Sequence, residues 1–480
     1  MNRPPLFSLI TVLAGLVGCA TPSPPPAVVL QVPAGWQAPL PHQGQLAELA
    51  HWWQRFDDPL LPTLIEAAQQ VSPTLAAAAS RIVQARSAQT VATAAQGPLA
   101  DASASSSRGR QTTLVGAPLA LLTQARLQAS WEADLFGGLA ANQRTASARL
   151  LGAQAQWHEA RVSVAAEVAR LYVDWRACTA MLAVARQDSA SRSHTARLAQ
   201  QGTLAGLGDA SQAALAQAGS AEASAKVIQQ KAQCDSDVKA LVALTAFDEP
   251  DLRRKLAASP LFTGKYAPFS VASIPAQTLE QRPDLFHAAT ELAAASAELG
   301  SAQAERYPRL SLTGSVGQMS FRAGGTSTNI STWSIGPLAL TLPVLDGGKF
   351  QANLAAATAR YDEAAVSYRA LARQAVREVE QALVALDSAQ ARRADVQATT
   401  DGYQKALAAA AARHQSGLGS LADLEDSHRL ALAAHAALIG YQRETVGSWI
   451  ALYRAVGGGW LAPHPEPCLN RASCHEAPAP

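Results

Sequence analysis

Pro73, Leu75, Pro98, Gly137 and Gly138 recur as Pro283, Leu285, Pro308, Gly347 and Gly348, every pair separated by 210 positions. Alanines at 78, 79, 85, 92 and 94 repeat in the same register. Alanine matches come cheaply in an alanine-rich chain, but proline and glycine pairs holding one offset over about 65 positions do not, so the chain is an internal duplication. Past the glycine pair the register drifts by only a few residues, since Glu167-Val168 corresponds to Glu378-Val379 and glycine breaks at Gly202 and Gly417 follow similar helical runs. Whatever this chain builds, it builds nearly twice.

The stretches Leu139 to Gln201 and Gln351 to Gln415 contain no proline and almost no glycine, and Ala, Gln, Arg and Glu dominate them. Such composition is strongly helical. About 60 residues at 1.5 Å each make a rod of roughly 90 Å, and small alanines let rods pack closely. Aromatics are only 5% of the 480 residues, which favours closely packed helices over an aromatic-filled pocket.

Between the first helix and the rod, each half changes period. Leu310, Leu312, Gly314 and Val316 alternate with Ser311, Thr313, Ser315 and Gly317, the period of a strand with one apolar face. A polar loop from Gly324 to Asn329 leads to a second strand through Trp333, Ile335, Leu338, Leu340 and Leu342. The first half repeats this more faintly, with Ala102 and Ala104 between serines and then Leu127, Ala129 and Trp131 between polar residues. If one face meets lipid, two hairpins give four strands. Four strands cannot close a barrel, and open edges in lipid leave backbone groups unsatisfied. A membrane-spanning role therefore requires oligomerisation.

Arg3 precedes an apolar run from Leu6 to Val17 that ends in Gly18 and Cys19, the pattern of an export signal. Leu16-Val17-Gly18-Cys19 resembles a bacterial lipobox, which makes Cys19 a candidate for acylation, and Ala20 after it favours the outer membrane. A Pro-rich tether follows from Thr21 to Gln45. In an oxidising compartment Cys178, Cys234, Cys468 and Cys474 form an even set. Cys178 and Cys234 lie equidistant from Gly206, so antiparallel helices folded there would bring the thiols level; a bridge or two buried free thiols both remain open. Cys468 and Cys474, in a Pro-rich tail near His464 and His475, suit a local disulfide better than zinc. The formal charge of +2 leaves no nucleic-acid footprint.

Several blocks together carry a family resemblance. They are Trp52-Trp53-Gln54-Arg55-Phe56-Asp57-Asp58-Pro59-Leu60-Leu61, Ser130-Trp131-Glu132-Ala133-Asp134-Leu135-Phe136-Gly137, Ile274-Pro275-Ala276 with Arg282-Pro283-Asp284-Leu285, Gly336-Pro337 through Leu342-Pro343-Val344-Leu345-Asp346-Gly347-Gly348, and Leu452-Tyr453-Arg454-Ala455-Val456-Gly457-Gly458-Gly459-Trp460. In this order the chain resembles the TolC-type outer-membrane efflux channels, in the lipoprotein branch of OprM-like and NodT-like proteins. The resemblance implies an α+β membrane protein, a homotrimer whose 12-stranded β-barrel continues into a long periplasmic α-helical barrel. It implies a passive export duct that meets a periplasmic adaptor and an inner-membrane pump of the RND type. The sequence contains no metalloprotease, phosphate-loop, nucleophile-elbow or dinucleotide motif. No enzyme activity and no cofactor are expected. A periplasmic coiled-coil adaptor and a structural envelope lipoprotein are the alternatives, although neither needs two hairpins and alternating strands.

These readings divide the chain into a signal peptide (1–18), a lipid-anchored tether (19–60), a first-repeat helix (61–98), a β-hairpin (99–136) and a long helical hairpin (137–246). A linker (247–274) leads to the second helix (275–307), second β-hairpin (308–346), second long helical hairpin (347–456) and a tail (457–480). By resemblance, the turns at Gly202, Leu204, Gly206 and Gly208 and at Gly417, Leu418 and Gly419 dock the adaptor. Asp423 and Asp426, three apart and so on one helix face, resemble the family's aspartate pair at the narrow entrance, with Asp209 a weaker counterpart in the first hairpin. Gly419 stands where some members carry an arginine that ties the entrance shut.

Overall fold

The computed structural model describes residues 28, 30, 32–38, 49, 52–56, 58–110, 119–259, 268, 269, 271 and 275–462. After a 3-10 turn at Trp52–Phe56, helices α1 (Leu60–Val71) and α2 (Pro73–Ala94) lead to strands β1 (Leu99–Arg110) and β2 (Leu119–Ala133). Helices α3 (Gly138–Leu204) and α4 (Ala210–Thr245) complete the first half, and the short α5 (Glu249–Ala258) and α6 (Pro275–Glu280) precede the second. There α7 (Pro283–Ala304), β3 (Arg309–Ala323), β4 (Thr326–Thr341), α8 (Lys349–Gln415) and α9 (Leu421–Ala455) repeat the order of α2 through α4. Both rods, α3 and α8, are 67 residues long, or about 100 Å at the α-helical rise.

The chain divides into two units, one holding residues 79–155 and 287–370, the other 31–78, 156–286 and 371–480. The first contains an antiparallel sheet in the order β1-β2-β3-β4. Pairing of β2 with β3 joins the two repeats, a contact that the hairpin pattern alone does not specify. Register stacks the apolar positions across strands: Ala102, Leu127, Val316 and Trp333 form one row, and Trp131, Leu312 and Leu338 another. A register shift between Leu312 and Gly314 keeps Trp333 and Ile335 on the same face as Leu338 and Leu340, although their numbers change parity. The opposite face carries Ser103 with Arg126, whose Nε donates to the serine Oγ at 3.3 Å, and Gln128 with Ser315. From Leu310 to Val316 the apolar rows cover about 20 Å of strand. Trp333 and Ile335 are 77% and 82% exposed.

Helices in this unit pack through small residues and side-chain bridges. Thr145 Oγ1 donates to the Ala294 carbonyl at 3.3 Å, Arg149 pairs with Glu298 at 2.6 Å, and Asn353 Nδ2 donates to Glu305 at 3.0 Å. Phe136 and Tyr307 stack with centroids 4.6 Å apart where the strands give way to helices.

The second unit holds the larger core. Trp52 is fully buried, stacked on Tyr453 at 5.0 Å and met edge-on by Phe56 and Phe269. Few as the aromatics are, several meet here: Trp53 also stacks on Phe56, and Phe269 lies edge-on to Trp449. The assignment of 19–60 as tether is corrected, because Trp52 and Trp53 are core residues. Upstream, the amides of Gln37 and Ala38 donate to the Glu380 carboxylate at 2.6 and 2.8 Å, which fastens the N-terminal segment to α8. Asp58, also buried, accepts from Tyr172 Oη at 2.7 Å and pairs with Arg176 at 2.6 Å, and Tyr172 Oη reaches Ser259 at 3.2 Å. The stretch read as linker includes α5, whose Leu252 and Leu256 enter this core. Each first helix is in fact two, broken before Pro73 and before Pro283 as proline requires.

Arg282 explains why the second break is chemically specific. Its guanidinium takes Asp284 with two bonds of 3.0 and 2.6 Å, Glu378 at 2.9 Å, and the Ala455 carbonyl at the end of α9 at 2.8 Å. Burial opposes the charge, but the two carboxylates outweigh it and hold the guanidinium pKa above its ordinary value. Beside it the chain passes so close that a Cβ on Gly457 (φ +85°) would lie 2.1 Å from the Gln281 carbonyl oxygen.

Candidate entrance site at the helical turns

In the second unit the long helices lie side by side in the order α4, α3, α9, α8. Cys178, Leu182 and Cys234 pack α3 on α4; Ala177, Val184, Leu432 and Ile439 pack α3 on α9. Tyr441 Oη donates to the Ala389 carbonyl at 3.0 Å and Arg392 pairs with Glu444 at 2.6 Å, fixing α9 on α8. Cys178 and Cys234 are joined in a disulfide, with Cα atoms 5.6 Å apart. Cys19, Cys468 and Cys474 lie outside the described residues.

Both hairpins turn by the same backbone device. Leu207 N donates to the Gly202 carbonyl and Leu418 N to that of Arg413, each at 2.8 Å; Gly206 N donates to Thr203 and Gly417 N to His414, each at 3.0 Å. The helices end with Gly206 at φ +71° and Gly417 at φ +74°, the left-handed closure that glycine adopts without strain. Gly206-Leu207-Gly208 and Gly417-Leu418-Gly419 are therefore equivalent. The sequence reading set Leu204 beside Leu418, but the structural mate of Leu418 is Leu207, and the two are 80% and 88% exposed. Leu204, at the last position of α3, is exposed as well. The repeated Gly-Leu-Gly triplet is the signal that identifies Leu207.

Next come the helix starts. Asp209 caps α4, accepting from Ser211 N at 3.0 Å. Ser420 caps α9 in a reciprocal box: Asp423 N donates to Ser420 Oγ at 3.1 Å, and Ser420 N to Asp423 Oδ2 at 3.4 Å. Hydrogen bonds from Ser211 and from Ser420 hold the Asp209 and Asp423 carboxyls below the ordinary carboxylate range. Asp426 pairs with Arg429 one turn on. Within one chain Asp423 thus serves the helix start and Asp426 has a cationic partner; both are exposed.

Three residues that the sequence did not single out link the hairpins here. Ser191 Oγ donates to Glu425 of α9, and His428 Nδ1 lies 3.0 Å from the same hydroxyl. This contact sets Glu425 level with Ser191, so α3 runs past the start of α9 by about nine residues, roughly 13 Å. The two turns share one end of the helix array in a staggered arrangement. Among the described residues no group of three or more His, Cys, Asp or Glu side chains could hold a metal, and no helix is long and apolar enough to cross a membrane.

The family model described as outer membrane efflux protein matches residues 64–246 and 274–458, nearly all of both repeats. The chain belongs to that family. It is 30% identical to the outer membrane protein OprJ of Pseudomonas aeruginosa over 95% of this chain and 97% of that one. It is 27% identical to the pyoverdine export outer membrane protein OpmQ of the same organism, again over 95% and 97%. The Campylobacter jejuni CmeC outer membrane channel shares the fold with a TM-score of 0.81, at 23% identity over 92% of this chain and 96% of that one. This efflux protein is accordingly a channel component of the outer membrane, which sets aside the adaptor and scaffold readings.

Proposed function

We propose that three copies close their sheets into one 12-stranded barrel and their long hairpins into a periplasmic tunnel, the passive exit duct of a tripartite efflux system. The observation that carries this is the open sheet. Among the described residues β1 and β4 each present an unpaired edge beside the apolar rows, and in hydrocarbon every unsatisfied backbone group costs several kcal/mol. Pairing β4 of one copy with β1 of the next removes both edges. Nothing in this duct requires catalysis or a cofactor. Acylated Cys19 tethers each copy to outer-membrane lipid, and Glu380 holds the start of the chain on the helical body. Migration of unheated membrane fractions in detergent gels tests the assembly: a heat-labile trimer is expected, and a monomer at all temperatures refutes closure.

The exposed leucines at the two turns are the surface for a periplasmic adaptor, which connects the duct to an inner-membrane pump of the RND type. Leu207→Glu and Leu418→Glu should abolish export while trimers persist. Unchanged export in both variants places docking elsewhere. In the trimer Asp423 and Asp426 form a ring of carboxylates around the entrance, with Asp209 nearby, which attracts cations. Asp423→Asn with Asp426→Asn should reduce cation selectivity in planar bilayers, and unchanged selectivity returns both residues to capping and surface pairing.

A further inference from the structure

We propose that Ser191, Glu425 and His428 form a proton-sensitive tie between the two helical hairpins, tightened by acid and released by base. Because the Ser191 hydroxyl donates to the Glu425 carboxylate, it is an acceptor toward His428, whose Nδ1 is 3.0 Å away. The chain of bonds has one direction, and it demands a proton on Nδ1. A neutral imidazole carries its single proton on either ring nitrogen, whereas imidazolium carries both. Protonation removes the tautomer that cannot donate and sets a positive charge one hydroxyl away from Glu425. Deprotonation restores the tautomer that turns a lone pair on the serine. Imidazoles make this change between about pH 5 and 8.

Other charges around the tie leave Glu425 as its counter-charge. On α3, Asp188 and Arg192 bond each other at 3.1 Å, and Arg192 reaches Glu222 of α4 at 4.0 Å. On α9, Asp426 pairs with Arg429. Lys405 and Arg413, the α8 cations nearest this level, are exposed, as is His435 two turns further along α9. The location matters as much as the chemistry. The first hairpin is closed by the Cys178 to Cys234 disulfide, while α9 is held to α3 by side-chain contacts alone. Among the described residues the next charged contact between α3 and α9 is Asp174 with Arg443, 3.9 Å apart and about 25 Å further along the helices. Loss of the tie therefore frees the first turns of α9, which carry Asp423 and Asp426. The tie stands on its own geometry; its consequence for conduction rests on the channel reading above.

Amide exchange of residues 421–430 in the full-length protein in detergent micelles, corrected for intrinsic rates, tests the tie directly. Protection at about pH 5.5 should exceed that at about pH 7.5 by roughly threefold to tenfold, the net weight of one ordinary hydrogen bond. His428→Gln and Ser191→Ala should abolish the difference. Either a wild-type protein with equal protection at both pH values, or a His428→Gln variant that keeps the acid gain, overturns the proposal. Planar-bilayer recordings of the same preparations add the second readout: wild-type conductance should be lower in acid, and that of His428→Gln independent of pH. A wild-type protein with the exchange pattern but no conductance refutes the duct and leaves the tie standing. Conductance with pH-independent exchange refutes the tie alone.

Discussion

Replacing Arg282 by methionine removes one charge from a place where the rest of the structure depends on it. The guanidinium is almost fully buried, with 6% of its side chain exposed, against 18% for Asp284 and 34% for Glu378. Removing one partner of a buried pair costs about 3 to 5 kcal/mol because the other charge stays behind. The Asp284 arm accounts for most of this; the Glu378 arm, a third exposed, is screened by water and adds little. The Ala455 carbonyl also loses its donor, which adds about 1 kcal/mol. A loss of about 4 kcal/mol is roughly a thousandfold in the local opening equilibrium. A membrane-embedded protein of this size does not unfold in one step, so the proper assay is amide exchange of residues 446–456 at the end of α9. Arg282→Met should lower protection there by about three orders of magnitude, and Asp284→Asn added to it should restore part of the loss by removing the orphaned charge. Protection within threefold of wild type in Arg282→Met would show that the clamp does not hold α9, and the reasoning would fail.

Reducing the Cys178 to Cys234 bridge, or replacing both residues by serine, should destabilise the first hairpin by about 2 to 4 kcal/mol, as the entropy of a long closed loop implies; amide exchange of α3 and α4 with and without reductant measures it. Tyr172→Phe should cost about 1.5 kcal/mol, since it deletes one bond to a carboxylate that keeps Arg176, and Asp58→Ala about 3 kcal/mol, since it strands Arg176; amide exchange of residues 168–176 in the two variants gives the comparison. The Asp423 carboxyl, its pKa depressed by the Ser420 bonds, supports the start of α9 at any pH above the ordinary carboxylate value. That support is lost as pH falls through the depressed folded value, so the Asp423 amide should exchange faster, after correction, below about pH 4. Asp423→Asn should flatten that step.

The sequence carried the repeat, the rods and the alternating strands because each rests on a period that survives without tertiary context. Strand β4 shows where that stops. Its apolar residues change from odd to even numbers at Gly336-Pro337, and only the register shift opposite Leu312 and Gly314 puts both sets on one face. The pairing of β2 with β3 is likewise a contact between repeats, to which no local signal points. At the helical turns glycine marks both reversals, but Ser191 is separated from Glu425 and His428 by more than two hundred residues in the chain. Common polar residues on a solvated helix offer no pattern until the helices are set side by side. Asp58 and Arg282 were visible only as members of motif blocks; the bonds that make them necessary belong to the folded core.

The position of those blocks explains why a chain so rich in alanine still specifies one structure. Along a rod, many residues satisfy the same requirement, since any small or helix-forming side chain keeps the spacing and the helix. At a turn, a clamp or a crossing the requirement has one answer. Gly457 has no room for a Cβ, Arg282 has four bonds to make to three partners, and Trp52 fills a space that Phe56, Phe269 and Tyr453 surround. These single-answer positions lie in the core of the second unit and at the end of α9. Changes within the exposed faces of α3 and α8 should therefore be tolerated in number, while one substitution at Arg282 or Gly457 disturbs the end of α9. The same logic separates the turns from what they touch: Gly206 and Gly417 are required by the backbone in any case, whereas the side chains of Leu207 and Leu418 stand exposed among the described residues. Exposed leucines at equivalent points of two repeats are what the proposed adaptor contact would bury, and substituting them is the sharpest test of that partner.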